Sequence, residues 1–139
     1  MRRDRNKKTQ GFTLVELLVV LAILGMIAAF AAPRVFKYLG SAKTDAAKIQ
    51  IESLASGLDL YKLEVGSYPR SLSALVEKPA GVSKWNGPYL KKRSIPKDPW
   101  GKDFIYRFPA KDGSYELISL GADGVAGGEG ENSDISSWQ

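Results

Sequence analysis

GFTLVELLVVLAILGMIAAFAAP, running from Gly11 to Pro33, decides how the rest of the chain can fold. From Phe12 to Ala32 its only charge is Glu16. At about 1.5 Å per residue this apolar run covers roughly 30 Å, the hydrocarbon thickness of a bilayer. A charge inside a bilayer costs about 2.5–3.5 kcal/mol on insertion scales, so Glu16 requires a compensating group. Either the carboxylate snorkels to the headgroups of a simple membrane anchor, or a specific cation meets it.

Upstream, MRRDRNKKTQ sets Arg2, Arg3, Arg5, Lys7 and Lys8 against Asp4 alone, which accounts for most of the net charge of +5 in 139 residues. Basic residues before an apolar helix predict a cytoplasmic N-terminus, with the remainder of the chain on the far side of the membrane. Because the excess sits on a short leader and not on a folded face, nucleic-acid binding is not expected. The run is longer than an ordinary secretory h-region, and helical patterning continues past AAFAAP, so cleavage at those small residues is not expected either. There is no Cys, which excludes a disulfide framework and a thiolate metal site. There is no His, which removes the commonest general base. The serines have no recognisable base beside them, so a membrane-anchored hydrolase has no support and no enzymatic activity is expected.

Downstream of Pro33, Tyr38, Ala42, Ala46, Ile49, Leu54, Leu58, Tyr61 and Val65 recur at steps of three to five, an apolar stripe near the helical period. Gly66 and Pro69 stop it. One helix is therefore expected from Phe12 to about Val65, kinked or loosened at Pro33. SLSALVEK (71–78) predicts a short helix capped by Ser71, with Ala74 and Leu75 inward. Residues 79–101 read as ordered loop in which Trp85, Tyr89 and Trp100 pack a small core. DFIYRF (103–108) and SYELISL (114–120), joined by PAKDG, predict a β-hairpin. Residues 121–138 are too rich in Gly for a strand or helix. From Asp112 to Gln139 there are six acids (Asp112, Glu116, Asp123, Glu129, Glu131 and Asp134) and no Lys or Arg. The residues alone leave open a solvated flexible tail or an oxygen-rich cation loop. The spacing is not that of an EF-hand.

A basic leader ending in Gly, then Phe, then Thr-Leu-Val-Glu and an unbroken apolar run resembles the class III signal of type IV pilins and the pseudopilins of type II secretion. The resemblance implies that a prepilin peptidase cuts between Gly11 and Phe12 and that Phe12 is then N-methylated. It divides the chain into a cleaved leader (1–11), a transmembrane and assembly helix (12–33), the amphipathic half of the same helix (34–65) and a periplasmic globular part (66–139). The new amine at Phe12 of one subunit is expected to meet Glu16 of another. Either charge alone in a low dielectric is costly, so pairing favours assembly and sets its register.

Two further stretches are similar to the major pseudopilin of type II secretion. They are GPYL…IPKDPWGKDFIYRFP and SLGADGVAGGEGENSDISSW. The resemblance implies a calcium loop in the second, with the side chains of Asp123, Ser133 and Asp134 and the carbonyls of Leu120 and Val125 as ligands. It implies an α+β, type IV pilin-like fold, with the long N-terminal helix packed on a small antiparallel sheet that carries a Gly-rich C-terminal loop. The implied function is that of the major structural subunit of a periplasmic fibre that drives folded proteins across the outer membrane. The partners implied are other copies in a helical homo-oligomer, minor pseudopilins, the peptidase and methyltransferase, and an inner-membrane secretion platform. The subunit would wait in the inner membrane as a single-pass protein. The alternative within the same architecture is the subunit of a surface pilus for adhesion, motility or DNA uptake.

Overall fold

The structure is a computed structural model and describes residues 11–138. Of the expected leader, only Gly11 falls within them. Two compact units divide the chain. The first ends at Lys37, the second begins at Tyr38, and α1 (Leu14–Val65) contributes to both.

In the first unit α1 is apolar and fully exposed. It contains a window of mean hydropathy 2.7, none of it buried, which is long and apolar enough to cross a membrane. The helix is assigned without interruption through Pro33. The start of α1 explains itself: Thr13 precedes the first helical residue and Glu16 lies three residues on, the spacing of a capping box.

In the second unit α1 buries Ala47, Ile51, Leu54, Leu58 and Tyr61, at steps of four and three. This corrects the expected stripe in its first half. Tyr38 and Ile49 are exposed, at 77% and 66%, while Ala47 is completely buried. Two apolar phases compete between residues 42 and 51. The one that continues unbroken through Leu54, Leu58 and Tyr61 is the one that packs, because only it keeps a single face toward the sheet.

A 3-10 helix, η1 (Leu72–Leu75), starts at Ser71, whose Oγ accepts from Ser73 N at 3.3 Å. It is shorter than the expected 71–78, and it buries Ala74 and Leu75 as expected. The hairpin joins β1 (Ile105–Arg107) to β2 (Glu116–Ser119), antiparallel, with Tyr106 opposite Leu117. A third strand, β3 (Ile135–Ser136), pairs antiparallel with the other side of β2, placing Ile135 opposite Ser119. A 3-10 turn, η2 (Gly130–Asn132), precedes it. The Gly-rich end is thus not free of regular structure, contrary to expectation. Ile135 supplies an apolar anchor, 3% exposed, among the helix stripe, Phe104 and Leu117. Full burial of side chains such as Leu54, Leu58, Leu75 and Leu117 contributes about 1.5–3 kcal/mol each. Trp85, Tyr89 and Trp100 pack against this core, and Trp85 Nε1 donates to Ala74 O at 2.7 Å.

Candidate functional site

Two places carry the residues expected to act: the start of α1 and the C-terminal loop. At the first, Phe12 is 85% exposed, just ahead of the helix. Thr13 N and Thr13 Oγ1 both donate to Glu16 Oε2, at 2.8 and 3.0 Å. Glu16 N donates back to Thr13 Oγ1 at 3.2 Å. The carboxylate therefore has a partner inside its own chain, which the sequence reading overlooked. The signal was present, since T-x-x-E ahead of an apolar run is the capping-box pattern. Such a cap stabilises a helix by about 0.5–2 kcal/mol. It orients the carboxylate without neutralising it, so the charge is still free to meet a cation.

The second place is built from the turn that DPWG makes. Asp98 is 4% exposed. Its Oδ1 accepts from Trp100 N at 3.0 Å and Lys102 N at 2.8 Å, and its Oδ2 accepts from Ser119 Oγ at 2.7 Å. One buried carboxylate thereby ties the turn to the last residue of β2. The loop begins at the next residue. Lys102 reaches into it, its Nζ donating to Gly121 O at 3.0 Å and to Ala122 O. Sequence reasoning treated Asp98 as part of a packing loop and did not single out Lys102. The Asx turn of Asp98 onto Trp100 N and Lys102 N is a local pattern, but its bond to Ser119 and the reach of Lys102 depend on residues about twenty positions away.

The loop folds back on itself. Ala122 N donates to Glu131 O at 2.8 Å, and Gly124 N to Leu120 O at 3.3 Å. A Cβ on Gly121, whose φ is +64°, would lie 2.6 Å from Glu131 O. The expected ligands take part in this closure. Asp123 Oδ1 accepts from Val125 N at 3.1 Å, Asp134 Oδ2 from Gly127 N at 2.9 Å, and Ser133 Oγ donates to Gly130 O at 2.8 Å. Among the described residues no three acidic, His or Cys side chains cluster as metal ligands. The expected set does not need such a cluster, because it has two carboxylates, a hydroxyl and two carbonyls. Asp134 Oδ1 is closed off from solvent and has no hydrogen-bond partner in the protein. A buried carboxylate oxygen without a donor is costly, and an oxygen-seeking cation would satisfy it. The donor set, all hard oxygen, fits calcium.

Residues 34–138 match the family described as Type II secretion system (T2SS), protein G, and residues 6–32 match the prokaryotic N-terminal methylation motif. The chain belongs to the protein G family of type II secretion. The protein G match starts immediately beyond Pro33 and takes in the amphipathic helix, the DPWG turn, the sheet and the loop. Across 96% of its length the chain is 43% identical to the type II secretion system core protein G of Pseudomonas aeruginosa, covering 98% of that protein. It is 41% identical to the protein of the same name from Vibrio cholerae, over 95% of this chain and 93% of the other. The crystal structure of the major pseudopilin from the type 2 secretion system of enterohaemorrhagic Escherichia coli has a TM-score of 0.55 and 31% identity, covering 70% of this chain and 88% of that one. The pilin-like α+β fold is thus the protein G fold, a long N-terminal helix with a small three-stranded antiparallel sheet.

Proposed function

We propose that this protein is the major structural subunit of a type II secretion pseudopilus, polymerising into a periplasmic fibre that drives folded proteins across the outer membrane. The observation that carries this is the pair of consecutive matches, a methylation motif over 6–32 followed by protein G over 34–138. In this reading residues 12–33 hold the subunit in the inner membrane with the globular part in the periplasm. The prepilin peptidase cuts between Gly11 and Phe12, and Phe12 is N-methylated. The freed amine of one copy then pairs with Glu16 of the next. The capping box supports this step, because it fixes the carboxylate at the helix start before a partner arrives. Such a contact is heterologous and does not close, which is what a helical fibre needs. Minor pseudopilins and the inner-membrane platform are the remaining partners, and the subunit itself catalyses nothing.

Calcium belongs to the same reading. Asp123, Asp134 and Ser133, with the carbonyls of Leu120 and Val125, would hold it, and the orphaned Oδ1 of Asp134 supports the assignment. The ion would supply a positive centre that relieves repulsion among the loop carboxylates. Deleting the gene in its native host tests the function. Exoprotein substrates are expected to accumulate in the periplasm, with export restored by the parent gene. Intact export together with loss of surface pili would overturn the proposal in favour of a surface-pilus subunit.

A further inference from the structure

Between Asp112 and Gln139 the chain has six acids and no base, yet its loop is folded. A cation from elsewhere in the chain reaches it. We propose that the Lys102 ammonium is a resident cation of the C-terminal loop, holding its first turn closed in the absence of any metal. Lys102 is a positioning residue in this role and needs no ion to act.

Its root is fixed before the side chain begins. Asp98 N donates to Lys102 O at 2.8 Å, and Lys102 N donates to Asp98 Oδ1 at 2.8 Å. The same carboxylate holds Ser119 Oγ at 2.7 Å, so the base of the lysine and the strand end that launches the loop share one buried anchor. From there Nζ donates to Gly121 O at 3.0 Å and to Ala122 O. An ammonium carries three donors and accepts nothing, so converging carbonyls are its natural environment. Hydrogen bonds from a charged donor are also stronger than neutral ones. The stem is used too. A Cβ on Gly124 would lie 2.9 Å from Lys102 Cε, so the loop backbone is wrapped directly onto the methylenes.

Neither carbonyl that Lys102 holds is among the expected calcium ligands, which include Leu120 O and Val125 O. The lysine and a metal would therefore use different oxygens of one loop. Lysine closes the first turn, and the region of Asp134 is left for the ion. It follows that the first turn keeps its hydrogen bonds in chelator.

Hydrogen exchange of the full chain in detergent, with EGTA present throughout, tests this. Lys102→Met keeps the stem and removes the ammonium, and Lys102→Arg keeps the charge. In Lys102→Met the amides of Ala122 and Gly124, which donate to Glu131 O and Leu120 O, should exchange about tenfold faster or more, while β1 and β2 stay protected. Lys102→Arg should recover most of that protection. Unchanged exchange in Lys102→Met, or equal loss in both variants, overturns the proposal. Pulse acylation of the unaltered protein gives a second readout that needs no variant to fold. Lys102 should react more slowly than the exposed Lys91 and Lys92, and equal rates would overturn the proposal. Because calcium enters neither measurement, failure of the calcium assignment leaves this result interpretable, and the reverse also holds.

Discussion

Glu16 has one role that the structure shows and one that is proposed for it, and the two can be separated. Its Oε2 completes a capping box with Thr13, and its charge is the group that a partner's amine would meet. Gln at this position can still cap, since the box accepts Glu or Gln. Glu16→Gln is therefore expected to insert and fold as the parent does and yet form few or no fibres. Thr13→Val removes the hydroxyl half of the cap, leaves the backbone N–H bond to Glu16, and keeps the charge. It should lower the stability of the helix start by about 0.5–2 kcal/mol while fibres still form. Counting sheared fibres by electron microscopy, beside the level of membrane-inserted subunit, checks both. Normal fibre yield from Glu16→Gln would show that the cap, and not the charge, is why the carboxylate is there. The sequence made the charge conspicuous because it stands alone in an apolar run. It hid the cap because Thr13 reads as one more small residue unless the three-residue spacing is noticed.

The elements of the second unit were legible to the extent that their signals are local. The helix, the hairpin and the Ser71 cap each announce themselves within a few residues. β3 did not, because two residues give no alternation, and Ile135 becomes strand only by pairing beside β2. The bond of Asp98 to Ser119 and the reach of Lys102 escaped for the same reason. Two glycines show how the elements constrain each other. A Cβ on Gly40 of α1 would meet the carboxylate of Glu131, with Oε1 nearest. It would meet Glu131 Cγ as well, so this exposed side chain must turn near its root to make room. Gly40→Ala should still be neutral or stabilising by up to about 1 kcal/mol, the helix-propensity gain. A Cβ on Gly121 would meet backbone instead, 2.6 Å from Glu131 O, at a φ of +64°. Gly121→Ala should cost more than about 1 kcal/mol. Urea unfolding of the two variants checks the contrast, and a more damaging Gly40→Ala would contradict it.

At the scale of the whole molecule, the chain joins a helix that is exposed along its apolar length to a unit with its own core. An isolated copy leaves that apolar surface uncovered, and lipid or other copies must cover it. On the proposed calcium assignment, the acidic loop ties the stability of the second unit to an ion. Full-length protein in detergent should melt higher with millimolar Ca²⁺ than with EGTA. Binding at a hundred times the dissociation constant adds about 2.7 kcal/mol. Mg²⁺ should do little, since it demands a tighter octahedral shell. Asp134→Ala or Asp123→Ala should abolish the shift, and Glu129→Ala should preserve most of it. A melting temperature indifferent to calcium would return the loop to a structure held by its own hydrogen bonds and Lys102. The central claim, that this chain is a processed fibre subunit, is tested most directly by the intact mass of the protein in fibres sheared from cells that overproduce it with its secretion apparatus. The account predicts a chain beginning at Phe12, lacking residues 1–11 and carrying one added methyl group. Fibres without this chain, or fibres containing it uncut or cut after Ala32, would contradict the account.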